Sequence, residues 1–380
     1  MATEVNPKNL KLFKSIFAFI VIGCALFMTI YIPTHGARLP DKSKIRPQAM
    51  KAELIMKIGS DKENEDFFNP GSFAIDRKGR IFILDTGNSR IQCFSPEGKF
   101  LFTFGKYGQG PGELSKEARK IKILPDGQIY IIDNVLKKIN IYDSEGKFLK
   151  SIKISIYYDD ILLINDHYYL SSTLIEENFK PIHILDRSGR LVSTFGVFIE
   201  PEIGLIKRVA RLPNPEPWKR LLRGCNFSNL ALTSEGNIIF SQDFPYRLIK
   251  YDPEGRIIKD IMAETDFDSY GHFKFTDEYA GIRVSSPEMA RVLDVTVRDD
   301  EILVPYLNPN KDIFFIDVYN QELNLIATYR MPNDLTSSKR QENFGQVYID
   351  NDNNLYAMVI SRENPTYLGK YRLKMGTGKE

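Results

Sequence analysis

The sequence predicts an all-β chain, a six-bladed β-propeller built from four-stranded antiparallel blades. Three observations lead there. The stretch Asn69 to Glu113 reads as four short strands in succession, the same pattern returns five more times, and one orphan strand precedes the first copy while the last copy lacks its fourth.

In the first copy SFAID meets the tight turn Asp76-Arg77-Lys78-Gly79 and continues as RIFILD. A turn over Thr86 to Ser89 leads into RIQCFS, and Pro96-Glu97-Gly98 leads into KFLFTFG. Runs of Ile, Phe, Leu and Val bounded by Gly, Pro, Asn or Asp are the signal of strands and hairpins. Four strands this short cannot bury both faces alone, so recurrence decides the fold. The second copy is KIKILPDGQIYIID with KKINIYDSEGKFLKSIKI, and the third is DDILLINDHYYLSS with KPIHILDRSGRLVSTFG. NLALTSEGNIIFSQD with YRLIKYDPEGRIIKDIM makes the fourth, and DVTVRDDEILVPYL with DIFFIDVYNQELNLIATYRM the fifth. The sixth, GQVYIDNDNNLYAMVIS with TYLGKYRLK, stops one strand short. The orphan Glu53 to Gly59, ELIMKIG, ends like KFLFTFG and is expected to complete it, closing a ring that exposes no broad sheet edge.

The spacing PGSFAID, KG, IFILD, GNSRIQ, FSPEGKFLFTFG, followed by GQGPGEL, resembles the NHL-repeat family of six-bladed propellers. The signature is kept in the first two units and decays to turns and strands alone in the other four. The resemblance implies that Asp85, Asn88 and Arg90, at the motif's middle turn, are structural, and turn hydrogen bonding accounts for such residues.

Chain direction then sorts the loops. With the innermost strand first in each blade, one face carries only tight turns, such as DRKG, SPEG, PDG and DSEG. The other face carries the longer connections and two insertions, about Val197–Cys225 and Glu264–Leu293. Long loops on a rigid scaffold gather function, so the loop-rich face is the expected binding surface. Glu53 should lie on the tight-turn face.

The first insertion holds the only Trp, Trp218, with Arg208, Arg211, Arg220 and Arg223, a composition found at interface hot spots and acidic-ligand clamps. The second brings Tyr270 and Phe273 among carboxylates, as a lid over the channel or a packed cap. A solvated helix with Trp218 packed on the scaffold is the plainer alternative for the first.

Net charge of +2 over 380 residues, without a long basic run, points away from nucleic acid. Cys24, Cys93 and Cys225 are too few for a disulfide framework. Lys8, Lys11 and Lys14 precede an uncharged run from Ser15 to Ile32 that is near the lower limit for a membrane span. An uncleaved single-pass anchor, a lipoprotein modified at Cys24 in Val21-Ile22-Gly23-Cys24, and a cleaved signal all remain open. The chain thus divides into a tail over 1–14, an anchor or signal over 15–32, a linker over 33–52 and the propeller over 53–380. The expected setting is a membrane-attached monomer with its propeller on the extracytoplasmic side.

Chemistry is sparse. His35, His167, His183 and His272 show no metal-ligand spacing, and neither HExxH, CxxC nor GxSxG occurs. Asp350 to Asn354 starts like a calcium loop but has Leu355 where the loop needs Gly. Gly108, Gly110 and Gly112 lack the Lys-Ser/Thr of a phosphate loop and read as an inter-blade turn. No metal and no cofactor are expected. Near the starts of the inner strands stand Asp160, Asn229, Asp294 and Gln346, a ring of polar ends that either lines a wet channel or binds an ion or small solute. The first functional expectation is a binding module for a protein, peptide or glycan, without chemistry of its own. The alternative is a hydrolase or lyase, lactonase-like, at the channel mouth.

Overall fold

Turn chemistry cuts this chain into strands. Asp76 Oδ1 accepts the backbone N–H groups of Lys78 and Arg80 at 2.9 and 2.8 Å. Asp143, Asp186 and Asp350 do the same for the residues two and four further on. Each carboxylate replaces the ladder partners that a reversing backbone loses. Gly79 and Gly146 close two of these turns at φ 76° and 81°, which a side chain resists.

The computed structural model describes residues 45–59, 66–173, 180–197, 227–243, 246–262, 277–278, 281–282, 291–308, 313–331, 342–361 and 366–375. Strand β1 (Gln48–Ile58) comes first. Blade 1 is β2 (Ser72–Ile75), β3 (Ile81–Asp85), β4 (Arg90–Phe94) and β5 (Phe100–Phe104). Blade 2 is β6 (Lys120–Ile123), β7 (Ile129–Asp133), β8 (Lys138–Tyr142) and β9 (Phe148–Lys153). Blade 3 is β10 (Asp160–Ile164), β11 (His167–Ser171), β12 (Ile182–Leu185) and β13 (Leu191–Phe195). Blade 4 is β14 (Ser228–Leu232), β15 (Ile238–Gln242), β16 (Arg247–Tyr251) and β17 (Ile257–Met262). The pair β18 (Asp277–Glu278) and β19 (Gly281–Ile282) lies apart. In blade 5, β20 (Arg291–Val292) and β21 (Thr296–Arg298) both pair with β22 (Glu301–Asn308), followed by β23 (Ile313–Tyr319) and β24 (Leu325–Met331). Blade 6 is β25 (Glu342–Ile349), β26 (Asn354–Ser361) and β27 (Tyr367–Met375).

The expected closure is present. β1 runs antiparallel to β27 from Met50 opposite Met375 to Ile58 opposite Leu368, as the fourth strand of blade 6. It starts earlier than Glu53, and Gln48 and Ala49 also pair in parallel with Tyr329 and Arg330 of β24. Glu53 sits opposite Arg372, which also faces Asn354 beside the Asp350 turn, so it lies on the tight-turn face.

Among the described residues six apolar clusters hold the ring, one at each blade interface. Phe82, Leu84 and Ile91 of blade 1 pack on Ile121, Ile129 and Ile131 of blade 2. At the seam, Ile58, Tyr356, Met358 and Leu368 of blade 6 pack on Phe73, Ile81 and Phe94 of blade 1. Each such side chain contributes about 1.5–3 kcal/mol on full burial. The seam is packed like the other interfaces, so the ring closes on apolar contact as well as on backbone pairing.

Among the described residues no helix is long and apolar enough to cross a membrane. The run Ser15–Ile32 lies outside the described residues, as does most of each insertion.

Candidate functional site

The inner strands converge on a belt to which every blade contributes. Asp160 is its hub. This carboxylate is fully buried and accepts Lys122 Nζ at 2.7 Å and the backbone N–H groups of Leu230 and Ile161, each at 2.9 Å. Lys122 Nζ also donates to the Leu230 carbonyl at 2.9 Å, tying blades 2, 3 and 4 together. Lys120 Nζ stands 3.9 Å from the other oxygen of Asp160. On the far side of the channel, Ser72 Oγ donates to Gln346 Oε1 at 2.6 Å and the Phe73 N–H does so at 3.0 Å. Gln346 Nε2 reaches Asp294 Oδ2 at 3.3 Å, and Asp294 Oδ1 accepts the Val295 N–H at 2.8 Å.

Two irregularities place the last two residues. Gln346 sits in a bulge of β25 between Phe344 and Val347, where an unpaired residue can turn a side chain away from the ladder. Asp294 sits between β20 and β21, where the inner strand of blade 5 is interrupted.

The belt divides the channel into two chambers. On the loop side is a cavity of about 180 Å³ lined by Ser72, Arg119, Asp159, Phe227 and Asn229, among others. On the tight-turn side is a larger one, about 310 Å³, lined by Ile75, Ile123, Leu232, Val297 and Tyr348, with Lys122 and Asp294 at its floor. Lys120 and Gln346 line both and so form the waist.

Confinement displaces the ionisations in opposite senses. Burial raises the carboxyl of Asp294 above its ordinary range, with the ammoniums of Lys120 and Lys122 offsetting only part of the effect. Burial likewise raises Asp159, against the pull of Arg119. At Asp160 burial acts upward too, but Lys120 and Lys122 outweigh it and hold the group low. Lys122 is lowered by burial and by the ammonium of Lys120 beside it, although Asp160 opposes both. The result is an acid and a base each pushed toward neutrality, in one channel.

The structure brings together Asp160, Asp294 and Gln346 of the expected polar ring. Asn229 lines the loop-side chamber, its Nδ2 3.4 Å from Ser241 Oγ. Trp218, Arg208, Arg211, Arg220, Arg223, Tyr270 and Phe273 lie outside the described residues. Asp85 is structural as expected: buried, it accepts the Phe68 N–H, Asn88 Nδ2 and Arg90 Nε at 2.8, 2.8 and 2.9 Å. His183 is buried with Nδ1 3.0 Å from the Tyr158 hydroxyl, and burial lowers its pKa. Among the described residues no group of three or more His, Cys, Asp or Glu is placed to hold a metal ion.

Sequence reasoning missed Lys120 and Lys122. The signal was present: KIKI is the only inner strand carrying lysine, while SFAI, DILL, NLAL, DVTV and GQVY carry none. Alternation of Lys and Ile reads as an ordinary half-exposed strand unless it is known to face a channel.

A family described as a 6-bladed beta-propeller, DUF5128, matches residues 74–189, a stretch shorter than half of the chain. The protein called brain tumor of Drosophila melanogaster is 37% identical over 76 residues, which is 20% of this chain and 7% of that protein. The chain therefore spans only a small part of that relative. Among solved structures, a DUF4221-family protein from Bacteroides vulgatus is similar with a TM-score of 0.55 at 11% identity, over 87% of this chain and 100% of the other. Virginiamycin B lyase from Staphylococcus aureus is similar over 85% of this chain and 99% of its own, with a TM-score of 0.45 at 12% identity.

The class these findings define is the six-bladed propeller, related to the DUF5128 family. The leaning against an enzyme is withdrawn: a six-bladed propeller accommodates catalysis as well as binding, and the likeness to the lyase at 12% identity is one of fold alone. What this chain can do has to be read from its own belt.

Proposed function

We propose that this propeller is an enzyme performing hydrolysis or elimination on a small organic substrate held in its channel. The observation that carries the reading is the belt, where Asp294 is raised and Lys122 lowered within one hydrogen-bonded enclosure. Opposed displacements of this kind mark acid–base sites. Asp294, at the floor of the larger chamber, is the proton carrier. Lys120, at the waist, supplies positive charge to an oxygen that becomes negative in the transition state. The Lys122–Asp160 pair holds both in place.

A panel of activated esters, lactones and β-substituted acids tests this. Turnover of at least one class is expected, with kcat falling about 10²–10⁴-fold in Asp294→Asn, the usual worth of a general acid or base. Equal turnover by the variant, or no consumption of any member, sinks the reading.

The first two blades keep the residues of the NHL-type repeat and are read as such. The uncharged run Ser15–Ile32 is read as a membrane anchor with the propeller outside the cytoplasm. The position of Glu53 supports a linker leaving from the tight-turn face. Release of the full chain into the soluble fraction by alkaline extraction of membranes would remove this second reading.

A further inference from the structure

Lys120 is the cation of the belt with donors to spare. Among the described residues its Nζ makes no hydrogen bond, and its 3.9 Å approach to Asp160 is too long for one. The oxygens of Asp160 are already served by Lys122 and two backbone N–H groups. The Lys120 side chain is nonetheless only 12% exposed, so its charge is aimed into the channel rather than into bulk water. A confined ammonium with no protein acceptor leaves its donors to whatever occupies the channel.

The chamber beyond it is amphiphilic. Half-buried Ile75, Ile123, Leu232, Val297 and Tyr348 line the side toward the tight turns, while Lys120, Lys122 and Asp294 lie at the floor. We infer that this chamber binds a monocarboxylate with a small apolar body, its carboxylate on Lys120 and its body among those five side chains. The inference rests on the proposed function in treating the chamber as a substrate or product site.

Charge and size select the class. An amine would meet Lys120 and Lys122 together. A dianion would set a second negative charge near Asp159, Asp160 and Asp294, the carboxylates whose field Lys120 already feels. A neutral amide keeps a hydrogen bond from the ammonium but loses the ion pair. A chamber of about 310 Å³ stands at the lower end of small-molecule sites, which fits a short acid and not a polymer.

The test is calorimetric titration of the full chain with hexanoate, hexanamide, hexylamine and hexyl phosphate. Hexanoate is expected to bind saturably with Kd on the order of 1 mM. Hexanamide should bind about tenfold or more weakly, as should hexanoate to Lys120→Met, since the first loses the ion pair and the second loses the ion pair and its hydrogen bond. Lys120→Arg should restore most of the affinity. Equal binding of hexanoate and hexanamide, undiminished hexanoate binding by Lys120→Met, tighter binding of hexyl phosphate, or no saturable heat overturns the inference. The amide probe needs no variant, so a poorly folded Lys120→Met leaves the test decisive. Hexanoate held through Lys120 in a protein that turns over nothing would sink the catalytic reading alone. Turnover dependent on Asp294 with charge-blind binding would sink this inference alone.

Discussion

Removing the hub of the belt by Asp160→Ala should cost about 3–5 kcal/mol, the usual penalty for breaking one side of a buried ion pair. The structure shows why the upper part of the general range for point substitutions applies. Asp160 is fully buried, and its loss strands the Lys122 ammonium and the N–H of Leu230, itself 1% exposed. Lys122 keeps only the Leu230 carbonyl. Urea unfolding followed by circular dichroism reads the cost as a fall in midpoint at constant slope. The defect carries a pH signature. Without Asp160, the folded-state pKa of Lys122 falls further below its unfolded value of about 10.4. The unfolded chain then binds more protons than the folded one, so the variant's stability rises with pH through that window. Asp160→Ala/Lys122→Met should recover most of the loss, because an apolar replacement of a buried pair is close to neutral. A single-variant cost under about 1 kcal/mol, or a double variant no better than the single, refutes the argument that this pair is buried and mutually dependent.

Asp294→Asn should flatten the pH dependence of stability. A carboxyl raised on folding makes the folded state bind the extra proton, so wild-type stability falls as pH rises from about 4 through the folded-state value, and the variant lacks that fall. Asp85→Ala should cost about 2–4 kcal/mol through three lost acceptor bonds, with kcat per folded molecule unchanged; a fall in kcat would mean that the turn serves the site. Gly146→Ala should cost about 1–3 kcal/mol, since the position has φ 81° and a Cβ there would stand 2.5 Å from Phe104 Cδ1; a shift below a few tenths of a kcal/mol counts against it. Cys93 should resist a thiol reagent at about pH 8 until the protein unfolds, because it is buried and its thiol is pushed up to about 12; labelling of the native protein in a background lacking Cys24 and Cys225 would contradict this.

Blade number, strand order and ring closure were legible because they rest on local signals repeated many times. Asp-x-x-Gly turns recur in the first four units and short apolar runs bounded by turn residues in all six, and the ELIMKIG orphan has an obvious vacancy to fill. The polar ring was legible in part, since Asp160, Asp294 and Gln346 stand at the starts of otherwise apolar inner strands. Two things were not legible. One was the role of Lys120 and Lys122, whose alternation with Ile121 and Ile123 is also what any half-exposed strand shows. The other was backbone irregularity: Gly345 inside β25 hints at a bulge without saying where Gln346 then points, and no turn residue announces the interrupted strand at Asp294. Loop length drew attention to the loop-rich face, and the insertions on which that expectation rests lie almost wholly outside the described residues.

Closure and chemistry depend on one another here. Gln346 belongs to blade 6, yet its amide oxygen is held by Ser72 and Phe73 of blade 1, and its amide nitrogen by Asp294 of blade 5. Ser72 Oγ in turn meets the Ile121 N–H of blade 2 at 3.3 Å. The chain of contacts therefore crosses the seam that β1 zips shut, between the last blade and the first. A seam that loosened would shift Gln346 from Ser72, release Asp294 from its amide partner and admit more water to the belt. Bulk water would remove the burial that raises Asp294 and lowers Lys122, and both groups would return toward ordinary ionisation. Apolar packing of Ile58 and Leu368 against Phe73 thus acts on the belt through the Phe73 N–H bond that positions the Gln346 amide.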